Sequence, residues 1–245
     1  MKITIITATF NNEKTIEQTL KSVAEQSYKN IEHIIIDGKS NDKTLKIVEK
    51  FRHISKVISE KDAGIYFALN KGLEKATGDI IGFLHADDFF ASSTILENIA
   101  DIFINKQADV VYSDLIYVQQ NGKNIVRYWK AGDFSKKKLK NGWMPPHPTF
   151  YAKKEIYNKL GFFNTKYMIS ADYDLMLRIL KTEPKIVYLP KVSVNMRIGG
   201  KSNKNLKLIF QKSKEDFMSI KANNIGGIFT LFNKNIRKLD QFFKS

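Results

Sequence analysis

Cysteine is absent from this chain of 245 residues, and no stretch approaches the roughly 20 apolar residues of a membrane-spanning helix. The lack of cysteine excludes disulfides and thiolate metal sites, and it is typical of a reducing compartment. The chain enters the strand pattern K-I-T-I-I-T at once, without a basic leader or a cleavage site. We therefore expect a cytoplasmic protein.

Acidic residues are few beside the basic ones. The chain has 25 Asp and Glu against 40 Lys and Arg, which gives a formal net charge of +15. Such a charge favours anionic partners, which include phosphates, nucleic acid and an acidic membrane leaflet. Lys, Asn and Ile are used heavily throughout, so part of this charge reflects general composition. The length suits one large α/β domain or two small ones.

Short apolar strand patterns alternate with amphipathic helix patterns through the first half of the chain. Strands are predicted at residues 2–9, 31–36, 56–59, 80–84 and 110–115, with helices between them. This order predicts an α/β fold with a mostly parallel, doubly wound, Rossmann-like sheet. Right-handed crossovers would place the carboxyl ends of the strands on one edge, where ligands bind in such sheets.

Polar residues follow several of these predicted strands. The positions are Thr7 to Thr9, Asp37, Asp62 and the adjacent pair Asp87 and Asp88. Two neighbouring carboxylates are costly to ionise together unless a cation or hydrogen bonds share their charge. A divalent metal that holds a phosphorylated substrate is the leading explanation. The alternative is that Asp88 is solvated and Asp87 only begins a loop.

The second half of the chain does not continue this alternation of strand and helix patterns. Asn121-Gly122 predicts a hairpin, and residues 136–140 form a basic loop or a short helix. The segment W-M-P-P-H-P is too rich in proline for regular helix. It either presents Trp143 and His147 to a ligand or forms a hydrophobic plug with a surface histidine.

A helix is predicted at residues 170–180. Asp174 and Arg178 are four residues apart and are expected to pair. Asp172 lies in the first turn, where the helix dipole favours an ionised carboxylate that is suited to accepting a proton; helix-start preference alone is the other explanation. Residues 186–197 look extended, and Arg197 at their end meets either a phosphate or a neighbouring acid.

Five stretches together resemble the family 2 glycosyltransferases, which are inverting enzymes of the GT-A fold. They are I-T-A-T-F-N-N-E, I-I-I-D-G-K-S-N-D-K-T, S-E-K-D-A-G-I-Y-F-A-L-N-K-G, A-T-G-D-I-I-G-F-L-H-A-D-D and S-A-D-Y-D-L-M-L-R. Each is weak alone, but their order and spacing are specific. The resemblance covers roughly residues 1–200, and within the family it is strongest to bacterial enzymes that assemble surface polysaccharides.

The resemblance implies a role for each matching position. A nucleotide-sugar pocket would be formed by Thr7, Ala8, Thr9, Asn11, Asp37, Ser40, Asp62, Gly64, Asn70, His85, Ala86 and Asp87, with Asp37 facing the base. Asp88 and Asp87 would hold the metal, with Asp88 the better candidate for direct coordination. Asp172 would be the catalytic base, and Trp143, His147 and Arg197 are expected to bind the acceptor.

Four positions depart from the family pattern. Ala171 stands where an acidic residue commonly precedes the base, and Phe67 replaces a frequent aspartate. Lys39 and Lys43 occupy positions that are often small. None of these changes removes a core catalytic group, but they make donor and acceptor preference harder to transfer.

The implied reaction moves a sugar from a nucleotide-diphosphate sugar, UDP-linked by preference, to a hydroxyl of a glycan or polyprenyl-linked saccharide. This describes a hexosyl- or N-acetylhexosaminyltransferase of O-antigen, capsule or exopolysaccharide synthesis. Mn²⁺ or Mg²⁺ suits carboxylate and phosphate oxygens, whereas nothing indicates zinc. Residues 1–115 would form the nucleotide-sugar half, and residues 116–200 the acceptor half.

The last segment, residues 201–245, is predicted to be a basic helical tail. From residue 204 onward it has nine Lys or Arg against three acids. Apolar residues recur every three or four positions, at Ile225, Phe229, Phe232, Ile236, Leu239 and Phe243. Such a helix either packs on the domain or lies on an anionic membrane surface, at the inner face of the cell membrane.

Two other classes of function are kept as alternatives. A sugar-phosphate nucleotidyltransferase also needs a metal and acids on a similar sheet. A basic nucleic-acid-binding protein is consistent with the charge, yet it gives no reason for acids at the strand ends, and we expect no nucleic-acid partner. A dinucleotide oxidoreductase is disfavoured because the first strand ends in T-A-T-F-N-N instead of G-x-G-x-x-G.

Overall fold

Strands and helices alternate from the first residues of the computed structural model, which describes residues 1–199 and 206–239. The strands are β1 Ile3–Thr9, β2 Ile31–Asp37, β3 Ile54–Ser59, β4 Ile80–Phe83, β5 Phe89–Phe90, β6 Val110–Val118, β7 Ile125–Trp129, β8 Tyr151–Lys153 and β9 Ile186–Arg197. The helices are α1 Ile16–Ala24, α2 Thr44–Val48, α3 Ile65–Lys75, α4 Ile95–Asn105, α5 Lys136–Lys140, α6 Lys154–Leu160, α7 Ala171–Leu180, α8 Leu206–Ala222 and α9 Ile228–Leu239.

The described strands form one mixed sheet in the order β3-β2-β1-β4-β8-β6-β9-β5, with β7 paired to β6. Parallel pairs join β3, β2, β1 and β4, and another joins β6 and β9. β8 is antiparallel to both β4 and β6, so β6 and β9 run in the same direction as the first four strands. The expected mostly parallel α/β sheet is confirmed.

The core lies on both faces of this sheet because the central strands are buried on both faces. All seven residues of β1 are buried. Ile6 packs towards α3 and α7, whereas Ile3 and Ile5 pack with residues of α4 on the opposite face. Gly72 of α3 allows close contact, since a Cβ atom there would lie 2.4 Å from Cγ2 of Ile6. The predicted double-sided burial of β4 is also confirmed.

Two strands do not appear in the sequence-based prediction. β5 and β8 have two and three residues, which is too short for a periodic signal. The predicted hairpin is confirmed, since Gly122 lies with a φ of 74° in the turn between β6 and β7. Residues 136–140 are a short helix.

The described part of the tail, residues 206–239, contains two helices where one was predicted. Ile225 belongs to the connection between them and is buried in the core. On α9, Phe229 and Phe232 are 81% and 60% exposed, whereas Lys234 is only 3% exposed. Lys234 forms an ion pair with the buried Asp216. The predicted boundary near residue 200 and the apolar position Phe243 lie outside the described residues.

Within residues 1–199 and 206–239, no helix has both the length and the apolar character needed to cross a membrane.

A buried histidine joins β1 and β2 and makes stability depend on pH. The His33 ring is fully buried, with its Nε2 3.0 Å from Oγ1 of Thr7 and its Nδ1 3.0 Å from Nε2 of His53. Burial, and then the neighbouring His53, lower the pKa of His33 from 6.5 to about 3. Below pH 6.5, His33 therefore binds a proton in the unfolded chain but not in the folded chain.

We expect the free energy of unfolding to fall as the pH drops below 6.5, by up to about 1.4 kcal/mol per pH unit from this one histidine. His33→Gln, which keeps hydrogen-bonding groups but does not titrate, should flatten that slope. Urea unfolding of both proteins between about pH 7.5 and 4.5 measures it. Identical slopes would show that His33 is not the titrating group.

Candidate functional site

The loops after β1 and β2 are joined by reciprocal hydrogen bonds. The backbone N–H of Asn11 donates to Oγ of Ser40 (2.9 Å), and the N–H of Asn41 donates to Oδ1 of Asn11 (3.0 Å). Asn11 adopts a left-handed conformation with a φ of 55°, which asparagine tolerates better than most residues. The two loops therefore form one fixed surface at the carboxyl edge of the sheet.

Asp37 is the centre of this surface. Its side chain is fully buried, and it accepts hydrogen bonds from the N–H and the hydroxyl of Ser40 and from the hydroxyl of Ser59 (2.6 Å). Ser59 ends β3, so one carboxylate ties together the ends of two neighbouring strands. Sequence reasoning missed Ser59, whose only signal is its position at a strand end.

The threonines of β1 direct their hydroxyls to protein partners. Thr7 contacts the buried His33, and Oγ1 of Thr9 donates to Oδ1 of Asn12 at 3.2 Å. Ala8 is buried against the core that includes α3. The role of these residues towards a nucleotide stays a prediction.

Asp62 is in the loop before α3 and is paired with a residue of that helix. Nζ of Lys71 lies 2.6 Å from Asp62 and 2.6 Å from Glu60, and these two carboxylates raise the pKa of Lys71. Gly64, with a φ of 157°, begins the helix. Asn70 exchanges two hydrogen bonds of 2.9 Å with the backbone of Phe163, so its amide anchors the segment before α7.

The acidic turn after β4, which is residues 85–88, has one solvent-facing and one enclosed carboxylate. Asp87 is partly exposed, whereas Asp88 is fully buried. Oδ1 of Asp88 accepts from the N–H of Arg197 at 3.3 Å, and Oδ2 has no hydrogen-bond partner among the described residues. Burial, followed by the charge of Asp87, raises the pKa of Asp88 well above its usual range. Ala86 packs into a small apolar cluster with α1.

Arg197 encloses this acidic turn. Its Nε donates to the carbonyl of Gln120 (3.0 Å), Nη1 to the carbonyl of Asp87, and Nη2 to Oε1 of Gln18. The guanidinium carbon also lies 4.9 Å from the ring centroid of Phe89. Each guanidinium nitrogen therefore contacts a protein acceptor, and the predicted acceptor-binding role of Arg197 stays a prediction.

Asp172 is the second residue of α7 and is contacted by α3. The hydroxyl of Tyr66 lies 3.1 Å from Oδ1 of Asp172 and 2.6 Å from the carbonyl oxygen of Ile169. Burial, and then the charge of Asp172, raise the pKa of Tyr66 well above its usual range. Tyr66 is therefore a protonated donor at neutral pH. Sequence reasoning missed this residue, although it lies in the motif stretch that contains Asp62.

His85 of the acidic turn has a second histidine, His147, beside it. The ring of His147 stacks on Phe83 with a centroid distance of 5.2 Å, and it lies 6.1 Å from the ring of His85. Burial lowers the pKa of His147 to about 4, while Asp172 opposes and His85 adds to this shift. His147 is thus a neutral imidazole near both Asp172 and His85. Nδ1 of His85 has no hydrogen-bond partner among the described residues.

Trp143 is a packed residue. Its Nε1 donates to the carbonyl of Ala131 at 2.7 Å, and its ring contacts Tyr112 edge-on at 5.6 Å. These contacts match the hydrophobic plug that the sequence left open as an alternative. Its role towards an acceptor stays a prediction.

The acidic turn suits a hard divalent cation that substrate and water also bind. It does not suit a metal ion that protein ligands enclose by themselves. The described residues contain no cluster of three or more His, Cys, Asp or Glu that would hold an ion alone. Mg²⁺ characteristically uses one or two carboxylates and completes its shell with substrate phosphates and water. A buried Asp88 oxygen without a partner, beside a second carboxylate, is consistent with that kind of site.

The structure joins the predicted residues in two groups. Asp37, Ser40 and Asn11 form one hydrogen-bonded unit. In the second group, the charge of Asp172 acts on His147, whose ring lies 6.1 Å from that of His85 in the acidic turn. The segment from Asp62 to Tyr66 connects the two groups, because it leaves the end of β3 and reaches Asp172.

Comparison with known proteins identifies the class. The family model described as glycosyl transferase family 2 matches residues 4–172, and the match ends at Asp172. A PGL/p-HBAD biosynthesis glycosyltransferase of Mycobacterium bovis is 30% identical over 209 residues, which are 81% of this chain and 78% of the relative. An uncharacterized glycosyltransferase of Methanocaldococcus jannaschii is 25% identical over 211 residues, or 82% and 72% of the two chains.

Solved structures share the fold. A crystal structure of S. aureus TarS 1-349 in complex with UDP-GlcNAc has a TM-score of 0.71 at 19% identity, covering 91% of this chain and 65% of that chain. The chain covers only 40% of the longer TarS structure. The mannosyltransferase PcManGT from Pyrobaculum calidifontis has a TM-score of 0.68 at 19% identity, covering 95% and 68%. The sheet and its helices therefore have the expected GT-A arrangement.

These matches decide in favour of sugar transfer over the two alternative classes. The family model covers more than half of the chain, and the mycobacterial relative matches over four fifths of it. The chain belongs to glycosyltransferase family 2 and is a glycosyltransferase.

Proposed function

We propose that this enzyme transfers a sugar from a nucleotide-diphosphate sugar to a hydroxyl group, with inversion at the anomeric carbon and Asp172 as the base. The observation that carries the proposal is the position of His147, whose ring lies 6.1 Å from that of His85 in the acidic turn and whose pKa the charge of Asp172 acts to raise. A base and a phosphate-binding turn must lie on opposite sides of one reacting carbon. Residues 1–115 form the donor half in this proposal, and residues 116–200 the acceptor half.

Nucleotide sugars bound to the structural neighbours support the choice of donor. The TarS structures contain UDP or UDP-GlcNAc, and PcManGT contains GDP-Man and Mn²⁺. A glucosyl-3-phosphoglycerate synthase of Mycobacterium tuberculosis contains Mn²⁺ and UDP. We favour a UDP-sugar, held by the surface that Asp37, Ser40 and Asn11 form and by the loop with Asp62.

Asp87 and Asp88 would hold Mn²⁺ or Mg²⁺. When bound, the ion neutralises the negative charge that develops on the departing diphosphate. The exposure of the two side chains favours Asp87 as the direct ligand, which reverses the order expected from the sequence. Asp88, which accepts a hydrogen bond from the backbone N–H of Arg197, would then hold the turn in place.

The chain's own groups account for the movement of the proton. Asp172 accepts the proton of the acceptor hydroxyl while that oxygen forms a bond to the anomeric carbon, and the bond to the diphosphate breaks. The hydroxyl of Tyr66 lies 3.1 Å from Oδ1 of Asp172 and restricts the orientation of that carboxylate. His147 is uncharged at neutral pH, so it packs beside Asp172 without neutralising the carboxylate.

We assign the acceptor to a glycan or a polyprenyl-linked saccharide in the synthesis of a bacterial surface polysaccharide. This rests on the motif resemblance, and on an outer surface that suits a membrane-bound substrate. Ile228, Phe229, Phe232 and Ile236 form an exposed apolar face on α9. The basic residues of α5 lie near this helix, since Thr230 donates to the carbonyl of Lys140. We place the enzyme on the cytoplasmic face of the membrane.

Replacement of the base tests the mechanism. Asp172→Asn should lower kcat by about 10²- to 10⁴-fold, the usual contribution of a positioned base, while the affinity for the donor stays near that of the wild type. Assays of nucleoside diphosphate release, together with donor titration by calorimetry, measure the two quantities. Release of pyrophosphate instead of nucleoside diphosphate would indicate nucleotidyl transfer, and wild-type turnover would exclude Asp172 as the base.

Metal dependence is tested at the acidic turn. Chelation by EDTA should abolish turnover, and added Mn²⁺ or Mg²⁺ should restore it. Asp87→Asn should raise the metal concentration needed for half-maximal rate by at least tenfold, because a direct carboxylate ligand is lost. Lys106→Gln, a surface change at the end of α4, is the control. Full turnover in chelator would contradict the metal assignment.

Membrane contact is tested on the exposed face of α9. Phe229→Ser combined with Phe232→Ser should reduce co-sedimentation with vesicles that contain phosphatidylglycerol, because apolar area and basic charge act together at such surfaces. Phe210→Ser on α8, where the side chain is 73% exposed, is the matched control. Unchanged sedimentation of the double variant would refute the contact.

A further inference from the structure

The start of α7 is held by a carboxylate from the tail. Glu215 of α8 is 2% exposed, and it accepts three backbone hydrogen bonds from the residues just before α7. The N–H of Met168 donates to Oε1 at 3.0 Å, and the N–H groups of Ile169 and Ser170 donate to Oε2 at 2.9 Å and 3.0 Å. A buried carboxylate with three such donors makes strong contacts, because each hydrogen bond has an ionised acceptor.

This arrangement replaces an ordinary helix cap. Ser170 occupies the N-cap position of α7, but its side chain makes no capping hydrogen bond. Glu215 instead brings a negative charge to the N-terminal end of the helix, where the dipole stabilises it. The catalytic carboxylate Asp172 is only two residues beyond Ser170, so the backbone that carries it is fixed from α8.

The same backbone is held from the opposite side by α3. The carbonyl of Ile169 accepts from the hydroxyl of Tyr66 at 2.6 Å, while its N–H donates to Glu215. Tyr66 also contacts Asp172 directly at 3.1 Å. The peptide group of Ile169 thus lies between two buried side chains, one of which touches the proposed base.

Glu215 is itself firmly placed. Its Oε1 accepts from Nε2 of Gln211 at 2.8 Å. The next residue, Asp216, is ion-paired with Lys212 and Lys234 at 3.2 Å and 2.5 Å. Burial opposes these pairs, but Lys234 and then Lys212 lower the pKa of Asp216 to about 2. Nζ of Lys234 also lies 3.5 Å from the ring centroid of Tyr173 on α7.

We propose that Glu215 is a positioning residue for catalysis: it fixes the peptide groups of residues 168–170 and thereby the orientation of Asp172. The inference rests on the proposed role of Asp172 as base. It makes α8 a part of the catalytic unit, even though the family match ends at residue 172. Glu215 touches no reacting atom and acts only through the backbone.

Glu215→Gln tests the inference because glutamine keeps the size of the side chain but loses one acceptor oxygen and the charge. We expect kcat to fall by about 10- to 100-fold, since displacement of a catalytic group by about 1 Å can cost 10²-fold. The KM for the donor should change by less than about twofold, because the donor loops are not touched. Steady-state kinetics below the unfolding temperature of the variant measure both.

Asn223→Ala is the matched control. Asn223, the residue directly after α8, is also buried, and its Nδ2 donates to Oδ1 of Asp174 farther along α7 at 3.0 Å. Thermal unfolding should show a loss of stability in both variants, whereas only Glu215→Gln should lose turnover. Equal kcat losses in the two variants would reduce Glu215 to a general stabilising contact and overturn the inference.

A double variant separates the inference from the proposed function. If Glu215 acts through Asp172, adding Glu215→Gln to Asp172→Asn should leave the residual rate unchanged within about twofold. Multiplying losses would overturn the inference. If Asp172→Asn is inactive but Glu215→Gln is fully active, the inference about Glu215 is overturned and the proposed function stands. If Asp172→Asn has wild-type turnover, both the assignment of the base and the inference about Glu215 are overturned.

Discussion

A carboxylate that is buried away from water needs hydrogen-bond donors, and this requirement determines how the loops around the site are held. Asp37 takes its donors from the loop after β2 and from the end of β3. Asp114 takes two tyrosine hydroxyls and a backbone N–H. Glu215 takes three N–H groups at the start of α7. Each acid holds segments that are distant in sequence, because separating them would leave a buried charge without partners.

The excess of basic residues has a related internal use. Arg197 encloses the acidic turn, Lys71 joins two acids before α3, and Lys234 reaches the buried Asp216. Some of the 40 Lys and Arg residues therefore stabilise the fold and are not displayed to partners. The carboxylate that these pairs satisfy least is Asp88, whose pKa burial raises well above its usual range. The unpartnered oxygen of Asp88 lies beside Asp87, where a bound cation would supply a partner.

Much of the fold was predictable because strands buried on both faces have an unmistakable pattern. The apolar runs of β1 and β4, the Asn121-Gly122 turn and the helix that carries Asp172 all lie where local patterns place them. The short strands β5 and β8 were not predictable, since two or three residues have no period. The split of the tail was missed because Ile225 fits the helical spacing of α9 but is buried in the connection before it.

The sequence by itself determined the order of the longer strands and helices up to residue 199, the acids at the strand ends and the family, because these depend on neighbours along the chain. Only the tertiary structure decided which carboxylate of the acidic turn is enclosed, that Tyr66 contacts Asp172, and that Glu215 caps α7. These contacts join residues separated by tens of positions or more. Hydrogen bonds of that kind depend on how elements pack, and no local spacing in the chain encodes them.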